Sequence, residues 1–125
     1  MSNKLFKARH KARIYALQAL YGWLLTNNDL YGIEEYFLQE KNSAKFDLEY
    51  FRHLLHNIPA TLQQLDASIS PCLQRPLSDV DPIELTILHI AAYELQYNID
   101  IPYKVVINEA LELTKSFGAV DSHKF

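Results

Sequence analysis

An all-α fold follows from three features of this chain. Apolar residues recur at gaps of three and four along nearly its whole length, the period of a helix face. No stretch alternates apolar and polar residues long enough to argue for a strand. The composition, 49% hydrophobic with three glycines in 125 residues, belongs to a packed globule and not to a disordered or repetitive chain. Such a length supports one core, so the expectation is a single domain over residues 1–125, a compact helical bundle.

The first helix is expected from about Lys4 to Leu25, with Ile14, Leu17, Tyr21 and Leu24 on its inward stripe and charge on its first turns. Asn27, Asn28 and Asp29 form a turn with helix-start chemistry, and Leu30 to Lys41 supplies a short helix with Ile33 and Phe37 inward. Asn42 to Phe46 reads as a loop. Asp47 then caps a long one-faced helix carrying Leu48, Phe51, Leu55, Ile58, Leu62, Leu65 and Ile69. Pro59 lies inside it and lacks a backbone donor. Because the apolar face continues past that point, a kink near Ile58 is expected rather than a split.

Pro71 and Pro76 bracket a connection containing Arg75. Asp81-Pro82-Ile83-Glu84 places an N-cap, a proline at the first helical position and a glutamate at the third, a capping box. Leu85, Leu88, Ala92 and Leu95 are expected to point inward through a helix ending near Tyr97. Pro102 opens the last complete helix, whose buried stripe is Val106, Ala110, Leu113 and Phe117, with Glu109, Glu112 and Lys115 facing out and Gly118 as its stop. Asp121 and Ser122 cap a further helix that begins with His123, Lys124 and Phe125.

No apolar run is long enough to span a bilayer, and the N-terminus lacks the apolar core and cleavage site of a signal peptide. A cytoplasmic protein with no membrane partner is expected. Cys72 is alone, which excludes an internal disulfide and suits a small buried hydrophobe. Net charge is −3, but it is unevenly spread. Lys4, Lys7, Arg9, Lys11 and Arg13 put five of the twelve basic residues in the first thirteen, and the first acidic residue is Asp29. A basic tip on an acidic body gives a local positive field that the overall balance conceals.

The chain offers little for catalysis. Gly22, Gly32 and Gly118 are too far apart for a phosphate-cradling loop. His53 and His56 sit three apart on a helix without further ligands to complete a metal site, and read as surface histidines. Glu109 and Glu112 lack the matching carboxylates and histidines of a di-metal bundle. No enzyme activity, no metal and no cofactor are expected.

The basic N-terminal helix is the constellation with binding chemistry. Lys4, Lys7, Arg9, His10, Lys11 and Arg13 would attract phosphate oxygens, and Lys4, Lys7 and Lys11 share one helical face. Cations at a helix N-terminus oppose the helix dipole, so helix stability does not account for the cluster, although a solubilising helix end remains the plain alternative. Gln18, two turns further on, is placed to read a base edge or simply to face solvent.

The stretch DIPYKVVINEALELTKSFGAVDSHKF, Asp100 to Phe125, resembles the closing segment of the NusB family of bacterial transcription antitermination factors. An acidic residue, an apolar one, PYKV, INEA, FGA and D-x-HKF occur there in the family's order. The likeness extends more loosely through ALQALY at Ala16 to Tyr21 and the RPL, DP, E, IL and AAYEL elements between Arg75 and Leu95. It implies an all-helical adaptor that binds boxA single-stranded RNA, best as a heterodimer with the small-subunit ribosomal protein that doubles as NusE, and that joins the RNA polymerase elongation complex through other Nus factors during processive rRNA transcription. A homodimer is one form open to the free chain, whose oligomeric state the sequence leaves undecided.

The resemblance also assigns residues. Asp121 matches a family position that influences RNA affinity, with Ser122 and Lys124 beside it, and Tyr21 and Glu84 match positions facing NusE, with Leu88 and Tyr93 as neighbours. Core packing for Tyr21 and capping for Glu84 and Asp121 stay open beside those roles. Leu85, Thr86 and His89 stand where many relatives carry basic residues. The family continues past HKF with another apolar helix, so this sequence either covers part of the protein, the favoured reading, or is shortened; a shortened chain would expose apolar surface near Val106 and Phe117. Two rivals are an accessory domain of an rRNA cytosine methyltransferase, which needs a longer parent chain, and a plain homodimerising module.

Overall fold

The computed structural model describes residues 3–118, and among them every regular element is a helix or a 3-10 turn. The helices are α1 (Asn3–Thr26), α2 (Leu30–Glu40), α3 (Leu48–Ala60), α4 (Leu62–Ile69), α5 (Pro82–Tyr97) and α6 (Tyr103–Phe117). The chain divides into two compact units, the first ending at Pro59 and the second starting at Ala60.

In the first unit α1 and α2 pack as a helical hairpin. Asn27 ends α1 in the left-handed region at φ 56°, a conformation asparagine tolerates better than most residues, and its N–H donates to the Trp23 carbonyl at 2.7 Å. Asp29 caps α2 by accepting the Tyr31 N–H at 3.3 Å, and Asp47 caps α3 by accepting the Tyr50 N–H at 3.0 Å. The expected loop after α2 contains a 3-10 turn, Ser43–Lys45.

Phe37, Phe46 and Phe51 form a buried aromatic cluster in this unit, with Tyr15 edge-on to Phe46 at 5.0 Å between centroids. The buried face of α1 is Ala12, Arg13, Ala16, Leu17, Ala19 and Leu20. Of the expected stripe only Leu17 is fully inside, while Ile14, Tyr21 and Leu24 are half-buried. The three alanines carry little apolar weight in a sequence pattern, yet their small side chains let neighbouring elements approach the helix axis closely. Ile33 is likewise only half-buried.

The expected kink at Pro59 is a split. Helix α3 ends at Ala60, Thr61 leaves the helical region at φ −114°, ψ 17°, and α4 begins at Leu62. Pro59 cannot donate to the carbonyl of Leu55, which weakens the last turn of α3 just where the chain passes from one unit to the other. Of the expected stripe, Phe51, Leu55 and Ile58 are buried on α3 and Leu65 and Ile69 on α4, while Leu48 and Leu62 are half-buried.

In the second unit, 3-10 turns at Ser70–Cys72 and Leu77–Asp79 carry the chain from α4 to α5. Cys72 is exposed, contrary to the buried position expected. Asp81 accepts the N–H groups of Ile83 and Glu84 at 3.1 and 3.2 Å, so the N-cap is made as the sequence indicates. Helix α5 is rotated from the expected orientation: it buries Thr86, Ile87, His89, Ile90, Tyr93 and Glu94, leaves Leu85, Leu88 and Ala92 half-buried, and exposes Leu95. Apolar residues surround this helix, so its periodicity does not single out a face.

Its polar residues find partners inside. The Thr86 hydroxyl donates to the Pro82 carbonyl at 2.7 Å, and His89 Nε2 lies 2.7 Å from Asp66 Oδ1, tying α5 to α4. Helix α6 packs on α5 and buries Val106, Glu109 and Leu113, with Ala110 and Phe117 half-buried. Glu109, expected to face out, is 4% exposed because it lies between Val106 and Leu113 on one stripe, and neither it nor Glu94 is without a partner. The exposed apolar residues of α6 are Tyr103, Ile107 and Leu111, while Val106 is buried. Gly118 stops α6 in an extended conformation, its N–H donating to the Thr114 carbonyl at 2.9 Å.

Candidate nucleic-acid interface

The basic residues of α1 separate onto two faces. Lys4, Lys7 and Lys11 are exposed. Arg9 and Arg13 are each displaced from Lys11 by two residues, about 200° around the helix, and turn inward. The Arg9 guanidinium sits 4.3 Å from the centre of the Tyr50 ring, with Nε 3.6 Å from Asp47 Oδ2. Arg13, 1% exposed, lies 5.4 Å from the same ring. Both cations therefore lie against one aromatic ring, an interaction worth about 0.5–2 kcal/mol apiece depending on desolvation. The Asp47 N–H donates to the Ala8 carbonyl at 3.0 Å, which fastens the start of α1 to the start of α3.

Arg13, included with the basic cluster in the sequence reading, is thus an interior residue. Arg9 and His10 are half-buried, and Gln18 is exposed. Asp121, Ser122 and Lys124 lie outside the described residues. A further cation, not legible in the N-terminal cluster, joins the lysine face: Lys41 Nζ is 5.1 Å and Lys11 Nζ 5.8 Å from the centre of the Tyr15 ring. Lys41 follows α2 in sequence, and only the hairpin brings it alongside α1. Tyr50, the ring that holds the two arginines, also escaped the sequence reading, since an aromatic near a helix start reads simply as core.

This arrangement offers lysine cations to a phosphate backbone, two of them near the Tyr15 ring. Among the described residues no group of histidine, cysteine and acidic side chains is placed to hold a metal ion. His53 and His56 are engaged internally, His53 with Asn57 and the Tyr50 ring and His56 with Glu34. Among the described residues no helix is long and apolar enough to cross a membrane.

The residues expected to meet a protein partner are distributed differently. Tyr21, Glu84 and Leu88 are half-buried with surface still open. Tyr93 is a core residue, stacked on Tyr97 at 5.1 Å between ring centres, and it is the rotation of α5 that carries it inside. Burial pushes its phenol pKa up, and Tyr97 adds to the shift.

Comparison with known proteins is consistent along the chain. The NusB family profile matches residues 10–125. The chain is 49% identical over 118 residues to the transcription antitermination protein NusB of Idiomarina loihiensis, covering 94% of this chain and 85% of that protein. It is 51% identical over 117 residues to the protein of the same name from Shewanella halifaxensis, covering 94% and 87%. Among solved structures, T. maritima NusB superposes with a TM-score of 0.76 at 26% identity, covering 94% of this chain and 83% of that one. With an all-helical architecture that matches a solved relative, and sequence identity near one half over almost its entire length, the chain belongs to the NusB family.

Proposed function

We propose that this chain is a non-catalytic transcription antitermination adaptor of the cytoplasm that binds boxA-type single-stranded RNA together with the ribosomal protein NusE, and so supports processive transcription of rRNA. The observation that carries the reading is the exposed face of α1, where Lys4, Lys7 and Lys11 stand clear of the interior while Arg9 and Arg13 are consumed by packing. Three lysines on one face, joined by Lys41, suit the irregular backbone of a single strand, which flexible point charges follow without demanding fixed geometry.

The whole chain acts as one RNA-binding domain, with Asp121, Ser122 and Lys124 extending the RNA surface and Tyr21, Glu84 and Leu88 contacting NusE. Holding nascent RNA on one face and a protein of the elongation complex on another raises the effective concentration of each for the other, and no bond is made or broken. The test is binding of a boxA-type RNA and of a scrambled RNA with and without purified NusE. Selective binding that NusE strengthens supports the proposal, and equal binding of both RNAs in the presence of NusE refutes it.

A further inference from the structure

The seam between α1 and α2 opens into a cleft of about 530 Å³ lined by Gln18, Gly22, Thr26, Gly32, Ile33 and Tyr36 among others, a volume in the ordinary range of ligand sites. Two of these residues are glycines inside helices, where glycine is among the least favourable choices. Neither has a positive φ, and a Cβ added at either would meet nothing within 4 Å. Backbone conformation and internal packing therefore do not call for glycine at either position. Both glycines line the cleft, one from each wall, and a side chain at either would narrow it.

The cleft continues the lysine face. Gln18 lies seven residues beyond Lys11 on the same stripe of α1, about 10 Å along the helix axis. Lys11 and Lys41 flank the Tyr15 ring at one end of the seam, and the cleft occupies the end nearer the interhelical turn. No cation lines the cleft, whereas Asp29 does, so a phosphate is disfavoured within it and favoured on the lysines outside. The lining suits a base instead. Tyr36 is 58% exposed, Ile33 and Phe37 add apolar lining, and the Gln18 and Asn28 amides and the Asp29 carboxylate offer donors and acceptors for a base edge.

We propose that this cleft is a nucleobase pocket, which takes one unstacked base of the single-stranded RNA whose backbone lies along Lys4, Lys7 and Lys11. The inference deepens the RNA-binding reading above and rests on it. Selectivity then comes from the pocket, and salt-dependent affinity from the lysines.

The test fills the pocket without disturbing the fold. Gly22→Leu and Gly32→Leu, made singly, are expected to melt no lower than the wild-type chain, since leucine is the better helix former and its Cβ meets open space. Each is expected to bind a boxA-type RNA roughly tenfold more weakly, with the salt dependence unchanged. An RNA scan with single abasic positions is expected to find one position whose loss weakens the wild type and leaves the filled variants unaffected. Tyr36→Ala, which removes the stacking ring from an exposed position, gives an independent version of the same loss. Filled variants that fold and bind the RNA as tightly as the wild type overturn the pocket while sparing the RNA-binding reading. Variants that keep RNA affinity but lose a protein partner overturn it in favour of a protein site. A wild-type chain that binds neither cognate nor scrambled RNA, with or without NusE, overturns both proposals together.

Discussion

Replacing Lys7 and Lys11 together by alanine removes two exposed cations from the outward face of α1. If each neutralises one phosphate of a single strand, each contributes about 0.7 to the slope of log affinity against log salt, so the double variant is shallower by about 1.4. Over a roughly fourfold rise in salt, the wild type then loses about sevenfold more affinity than the variant. Stability should change by less than about 1 kcal/mol, because neither side chain belongs to the buried face and Lys11 gives up only an exposed contact with the Tyr15 ring. Arg13→Ala should behave in the opposite way: removing a buried guanidinium from beside Tyr50 costs about 2–4 kcal/mol of stability, while the salt slope stays that of the wild type. Fluorescence anisotropy of a short labelled RNA across a salt series, paired with thermal melts, reads both quantities. An unchanged slope in the lysine variant, or a shallower slope with unaltered melting in the arginine variant, refutes the division of the cluster into binding and structural residues.

Other parts of the structure can be tested as directly. His89→Ala should destabilise the chain by about 2 kcal/mol in chemical denaturation, since it breaks a 2.7 Å bond made by a nearly buried imidazole; the partial exposure of Asp66 keeps the figure below the upper end for a charged acceptor. Folded Tyr93 holds its proton to higher pH than the unfolded chain, whose phenol titrates near 10.0, so stability should fall as pH rises from about 10 towards the raised folded value. Tyr93→Phe should flatten that alkaline fall in a pH series of melts, and an identical slope in wild type and variant would discount the buried phenol. Glu84→Lys should weaken heterodimer formation with NusE in size-exclusion chromatography while costing at most about 1 kcal/mol of stability, because Asp81 supplies the cap bonds and only the helix dipole is opposed.

Helix positions were legible because local chemistry sets them. Asp29, Asp47 and Asp81 each precede a helix and each accepts backbone N–H groups of its first turn, so the starts of α2, α3 and α5 follow from short-range bonds. Which face turns inward was legible best where apolar residues form a single stripe, as for Phe51, Leu55 and Ile58 on α3 and Leu65 and Ile69 on α4, although Tyr50 and Leu54 are buried beside them. On α5 leucine, isoleucine and alanine surround the helix, and the buried side is decided by partners distant in sequence such as Asp66, 23 residues before His89. Glu109 shares the stripe of Val106 and Leu113, so its inward position was readable from spacing, while its charge argued for the outside. Part of the α1 division is legible in the sequence, since Lys4, Lys7 and Lys11 fall on one side of a helical wheel and Arg9 and Arg13 on the other. That the second side is buried needed the position of Tyr50, and that Lys41 joins the first needed the hairpin. The cleft was illegible altogether, because two glycines ten residues apart carry no pattern until α1 and α2 are laid together.

The central claim is that RNA binds along the outward face of α1. Its most direct test is to titrate isotope-labelled protein with a boxA-type RNA and follow the backbone amide signals. The account predicts that the largest shifts fall at residues 4 to 11, at Lys41 and around Gln18 and Gly22, with Asp121 to Lys124 joining them. Shifts confined to α5 and α6, with those positions unmoved, would contradict it.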